Sequence, residues 1–126
     1  MSELRANTIS AADGTSPAAL TKQIAPKAFG KWVGTDAPPA LDGSFNMASI
    51  TDNGAGDYTL TFTNTMADAN YHGAGYSGIA ARAGAVGHDA NDTLTASAIR
   101  LNTHAAGSST AADSVDTSFA VMGDLA

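Results

Sequence analysis

The chain has 126 residues, 12 acidic and 6 basic side chains, a formal charge of −6 and no cysteine. This excludes a clustered-cation nucleic-acid interface, disulfides and thiolate metal sites, and the length fits one domain with at most an extended arm. Leu, Ile, Val and Phe together make only 20 of the 126 residues, which is thin for a self-sufficient core, so burial between subunits is the expected remedy.

Residues 1–17 are small and polar, with Leu4, Ala6 and Thr8 alternating on one face and Asp13-Gly14-Thr15-Ser16-Pro17 as a turn. Such a segment buries too little to fold alone and reads as an arm that docks onto a neighbouring subunit or socket. From Ala18 to Val33 the apolar Leu20, Ile24, Ala28 and Trp32 recur at helical spacing, but Pro26 restricts any helix to a short or kinked one. An extended lead into a strand at Phe29–Val33 is the rival reading. Trp32, the only tryptophan, is a core or subunit-interface anchor. Residues 34–43, with Pro38-Pro39, read as a linker.

Ser44 to Met66 reads as a β-hairpin. On its second arm Tyr58, Leu60 and Phe62 alternate with Thr59, Thr61 and Thr63, the period of a half-buried strand. On the first arm Phe45 and Met47 are expected to share a face, with Ile50 breaking the alternation as a bulge or twist just before the turn would. Asp52-Asn53-Gly54-Ala55-Gly56-Asp57 supplies a turn that tolerates positive φ. Tyr71 to Tyr76 can continue as a strand whose glycines let another backbone come close. The Gly- and Ala-rich stretch 77–92 is expected to be an exposed loop, and burial is expected to switch face near Ala98 within 94–103. Val115, Thr117, Phe119 and Val121 make a clean period-two face on a last strand, for which the hairpin is the natural partner.

The segment SFNMASITDNGAGDYTLTF at 44–62 closely resembles a repeated element of bacteriophage tail-fibre and related virion-surface proteins, SFN-x-x-S-[IV]-TDNG-x-GDYT-x-x-F. Asn7-Thr8-Ile9, Leu20-Thr21-Lys22-Gln23 and Lys27-Ala28-Phe29 with Trp32 resemble the segment that precedes that element. The insert Asp36-Ala37-Pro38-Pro39-Ala40 departs from the pattern, and the resemblance fades after Tyr71. It implies a virion-surface structural protein, a homotrimer placed on the tail rather than the head, whose arm contacts other virion proteins. A capsid-attached head fibre or adaptor and a free carbohydrate-binding module are the alternatives.

Catalytic and metal-binding patterns are missing from the sequence. His72, His88 and His104 are evenly spaced, which is not ligand spacing. Asp52-Asn53-Gly54 and Asp89-Ala90-Asn91-Asp92 lack the full calcium-loop pattern. No nucleophile elbow or phosphate loop is present, and the only glutamate is Glu3. The expectation is no enzyme, no cofactor and no metal. No apolar run is long enough to cross a membrane, and the first residues lack the apolar core of a secretion signal, so no membrane insertion is expected.

These readings give an all-β fold: a small antiparallel sheet or β-sandwich over 44–126, with an arm at 1–33 and a linker at 34–43, oligomeric. The expected core or oligomer anchors are Trp32, Phe45, Tyr58, Leu60, Phe62, Phe119 and Val121. A receptor-binding tip would use Tyr71, His72, Tyr76, Arg82, His88 and Asp89, since aromatic and polar groups on glycine-rich loops suit a host-surface saccharide.

Overall fold

The computed structural model describes residues 25–79, 82–88 and 94–126. The arm up to Ile24, with the first half of the helical-spacing segment, lies outside the described residues. The fold is all-β. Its strands are β1 (Ala28–Trp32), β2 (Leu41–Phe45), β3 (Met47–Gly54), β4 (Asp57–Phe62), β5 (His72–Ile79), β6 (Arg82–His88), β7 (Ala98–Ala105) and β8 (Asp116–Met122). They form one eight-stranded antiparallel sheet in the order β2-β1-β8-β5-β6-β7-β4-β3.

The two edges of that sheet, β2 and β3, are consecutive in the chain and separated by Asn46 alone. Asn46 has φ 54°, a left-handed conformation that asparagine tolerates better than most residues. At this corner a single extended run leaves its pairing with β1 and takes up pairing with β4, so the sheet curls until it nearly closes into a barrel. The side chain stitches the corner. Its Nδ2 donates to Lys27 O at 3.1 Å and Asn64 O at 3.0 Å, and its Oδ1 accepts the Asn64 N–H at 2.6 Å. The Asn46 carbonyl accepts the Thr63 N–H at 3.2 Å.

Period-two burial fills the interior. Ala28 and Trp32 from β1, Tyr58, Leu60 and Phe62 from β4, Ile99 and Leu101 from β7, and Phe119 and Val121 from β8 point inward with Met47, Met66 and Tyr71. Trp32 meets Tyr58 edge-on at 5.6 Å, and Phe62 meets Tyr71 the same way at 5.7 Å, a geometry that aligns ring edge with ring face. The residues before β8 cap one end: Asp113 Oδ1 accepts from Tyr58 Oη at 2.8 Å and from the Gly56 N–H at 2.7 Å. Gly56 has φ 67°, and a Cβ there would run into the backbone of Ala112 and Thr103, so this turn position requires glycine. Asp52 Oδ1 accepts the Gly54 N–H at 2.9 Å, the local turn bond expected of that residue type.

Several expectations change. β1 lies between β2 and β8, inside the sheet, and residues 41–43 begin β2, so neither the arm boundary at 33 nor a linker running to 43 holds. Residues 28–32 are a strand because Trp32 and Ala28 bury on one face while Phe29 and Lys31 stay outside. Phe45 and Met47 do not share a face: the turn at Asn46 sends Met47 inward and leaves Phe45 outside. Residues 82–88 are strand rather than loop, since backbone pairing on both sides outweighs their weak side-chain pattern. The register of β3 against β4 shifts between Met47 and Ser49 and again between Asp52 and Gly54, just before the turn, and Ile50 between them is half-buried. β8 pairs with β1 and β5, not with the hairpin, because the hairpin's inner strand β4 is already taken by β7.

Two predictions follow from this frame. Asn46→Ala should cost about 2–4 kcal/mol in urea unfolding, from about 1 kcal/mol of left-handed strain plus side-chain hydrogen bonds worth about 1 kcal/mol each. Asn46→Gly should lose the bonds but escape the strain, and so be milder by about 1 kcal/mol; equal losses would exclude a contribution from backbone conformation. The second concerns acid. Arg100 forks onto Asp57, with Nε to Oδ1 at 2.9 Å and Nη2 to Oδ2 at 2.5 Å, and this pairing holds the Asp57 carboxyl below its ordinary 3.8. Its contribution is therefore present above that value and disappears as pH falls through the lowered one. Asp57→Asn should flatten the acid limb of the stability curve and leave its slope above pH 6 unchanged.

Candidate functional site

β5 and β6 are in antiparallel register at Ser77 with Gly84, Gly78 with Ala83 and Ile79 with Arg82. β5 follows β8 down to His72, and β6 follows β7 down to His88. The Ser77 hydroxyl donates to Ala85 O at 3.2 Å. A pocket of about 250 Å³ opens at the seam near the His72 end of β5 and the His88 end of β6, lined by Tyr71, His72, Gly73, His88, Leu94, Ile99 and Phe119.

Glycine makes this pocket reach the core. Gly73 and Gly75 face Phe119 across β8, and a Cβ on either would run into the Phe119 ring. The ring therefore lies against bare backbone and forms part of the pocket wall. Tyr71 is buried, and its hydroxyl sits 3.0 Å from Thr95 O and 3.1 Å from Ala98 O, which anchors the chain leading into β7. Burial pushes that hydroxyl up to about 12, so at neutral pH it stays a neutral donor. Ile99 and Phe119 are buried, Leu94 is half-buried, and both imidazoles are exposed. Among the described residues no carboxylate is in the lining.

Of the six receptor-binding candidates, the seam brings together Tyr71, His72 and His88. Tyr76 stands apart on the outer face, with its hydroxyl 3.4 Å from Asp116 Oδ2. Arg82 opens β6, but its side chain, like the whole of Asp89, lies outside the described residues. Of the core or oligomer anchors, Trp32, Tyr58, Leu60, Phe62, Phe119 and Val121 are interior, whereas Phe45 is on the outside. Gly73, Leu94 and Ile99 were not singled out by the sequence reading of the site. The signal for them was Gly73-x-Gly75 in a strand, which marks close approach by a neighbour, but nothing in the sequence indicates that the neighbour is Phe119.

A second concavity of about 610 Å³ adjoins the point where the described chain begins, and is lined by Ala25, Lys27, Ala67, Asp68, Asn70, His72, Met122, Gly123 and Asp124. His72 lines both. This groove carries Lys27 and the two carboxylates of Asp68 and Asp124. Among the described residues no group of three or more His, Asp or Glu side chains could hold a metal ion, and no helix is long and apolar enough to cross a membrane. Among the described residues the lining of the seam holds two histidines and no carboxylate to pair with them as acid and base.

No family model matches the chain, and no curated protein or solved structure matches it either.

The tyrosine gives a prediction. Its raised value means the bonded hydroxyl stabilises the fold fully below the ordinary 10.0 of tyrosine, and that the contribution is lost as pH rises towards about 12. Tyr71→Phe should cost about 1 kcal/mol at neutral pH and remove that part of the alkaline loss, read by denaturant titrations at pH 8 and pH 11.

Proposed function

We propose that the chain is a structural subunit of a bacteriophage virion surface, part of a tail fibre or spike that assembles as a homotrimer. The observation that carries this reading is an apolar row on the outside of the sheet. Phe45 on β2 is in register with Phe29 on β1, Phe29 with Ala120 on β8, and Ala120 with Ala74 on β5. Phe45 is 55% and Phe29 40% exposed, and Tyr76, two residues along β5 from Ala74, is 52% exposed. Large apolar groups contiguous on an outer face favour contact with another chain.

The occupant we assign is a second copy. Lys27 and Lys31 flank Phe29 along β1, while the chain as a whole carries −6. Copies of so acidic a chain repel one another over most of their surface, and a face combining aromatics with lysines is where they can meet. Lys31 Nζ lies 3.4 Å from Asp116 Oδ1, which places this cation beside the aromatic row. The resemblance of residues 44–62 to virion fibre elements supports the same reading and supplies the trimer, the tail placement and attachment through the residues before Ala25. A host-facing surface would lie on the β5–β6 side.

Light scattering tests it. The expected mass is about three times the 12.6 kDa of one chain, falling to one copy in Phe29→Ser/Phe45→Ser with an unchanged far-ultraviolet spectrum. A wild-type chain that stays single at high concentration would remove the proposal and favour a free binding module.

A further inference from the structure

We infer that Asn53 is a self-modification site, at which the side chain closes onto the Gly54 backbone nitrogen to form a succinimide and then opens to aspartate or isoaspartate. This does not depend on the proposed place of the chain in a virion. Asn53 is the only asparagine followed by glycine, the residue that puts no side chain in the way of its own nitrogen. Both residues are exposed. A Cβ on Gly54 would meet nothing within 4 Å, and its φ of 140° lies in the region that glycine alone enters freely. The register of β3 against β4 pairs Asp52 with Tyr58 and Gly54 with Asp57. Asn53 is skipped, so its backbone is not held in the ladder as its neighbours are.

The neighbouring residues supply the chemistry. The Gly54 N–H donates to Asp52 Oδ1 at 2.9 Å, so the nitrogen that attacks already shares its proton with a carboxylate placed to act as base. In the step, a bond forms between Gly54 N and Asn53 Cγ and the bond from Cγ to Nδ2 breaks. The Gly54 amide proton passes by way of Asp52 and solvent to the departing nitrogen, which leaves as ammonia. Water then opens the ring. Addition at Cγ gives aspartate, and addition at the Asn53 backbone carbonyl gives isoaspartate, in which the chain runs through the former side chain. Asn53 Nδ2 donates to Thr59 Oγ1 at 2.8 Å and to Asp57 Oδ1 at 3.4 Å. Aspartate at this position exchanges that donor for an acceptor and sets a second carboxylate against the one that Arg100 clamps. Isoaspartate lengthens the backbone beside the turn, where the register of Gly54 with Asp57 is set.

The test incubates the full chain at pH 8 and follows each asparagine by peptide mass spectrometry, with an isoaspartate-specific methyltransferase marking the isomer. The expected result is a gain of the mass difference between NH and O at Asn53 in the folded chain, with isoaspartate present, before any change at the other asparagines, each of which is followed by a residue with a side chain. Asp52→Ser keeps a turn-forming oxygen but removes the base. It should slow conversion at Asn53 about tenfold, short of the roughly 100-fold that a base placed by an enzyme contributes, in a chain whose far-ultraviolet spectrum is unchanged. Asp52→Asn gives the same comparison with the shape of the side chain kept. Four results would each overturn the inference: no conversion at Asn53, conversion there in urea but not in the folded chain, an unchanged rate in a folded Asp52 variant, or earlier conversion at another asparagine.

Discussion

The corner at Asn46 is the constraint on which this fold depends. An open antiparallel sheet leaves two strands with unpaired backbone edges, and such edges invite pairing with other chains. Here the two edges are the two halves of one extended run, and turning that run at a single residue brings them together. The turn needs a positive φ, and it needs the donors and acceptors it frees to be met elsewhere. Asparagine meets both needs, because its amide reaches back to Lys27 on the approach to β1 and forward to Asn64 beyond β4. Without that bridge β2 and β3 would be free to separate, and with them the walls that enclose Met47, Leu60 and Trp32.

Curling the sheet also changes what the composition means. Large apolar residues are few, but the near-closed barrel spends them inside: four of the eight aromatic rings, Trp32, Tyr58, Phe62 and Tyr71, pack edge to face in pairs, and a fifth, Phe119, lies on glycine. A Cβ on Gly30 would press on Leu41 and meet Met47 and Leu60, so small and large positions interlock as they do in narrow barrels. The core is therefore built within one chain, and the idea that subunits must share it loses its basis. What remains in favour of association is the opposite observation, that Phe29 and Phe45 were left outside.

The sequence made β4 and β8 legible because threonine and serine on one face against Tyr, Leu, Phe and Val on the other leave no other period. Trp32 as an anchor was legible for the same reason that single tryptophans usually are: its area must go somewhere. β1 was obscured because Ile24, Ala28 and Trp32 happen to fall at helical spacing, whereas the strand reads Ala28, Gly30, Trp32, with a glycine hiding the middle term. β6 was obscured because Gly and Ala show no contrast between faces. Phe45 was misplaced by counting alternation through a residue that reverses it. Of the candidate site, Tyr71, His72 and His88 were recognisable as chemistry, but what brings them beside Leu94, Ile99 and Phe119 is the pairing of β5 with β8 and of β6 with β7, and local pattern carries no trace of that.

The residues that carry the resemblance at 44–62 have structural work in this fold. Asn46 turns the corner, Asp52 and the two glycines at 54 and 56 shape the hairpin, Asp57 holds Arg100, and Tyr58 holds Asp113. None of them lines the seam. A signature of this kind specifies how a sheet is closed, not what it touches, and the same corner can serve chains with different partners. The seam and the Tyr76 face are built mainly from β5, β6 and β8, in the half of the chain where the resemblance has faded. The later half of the chain, where the proposed host-facing surface would lie, can vary without endangering the closure of the sheet, because the hydrogen bonds that close the barrel at Asn46 involve no residue of the seam.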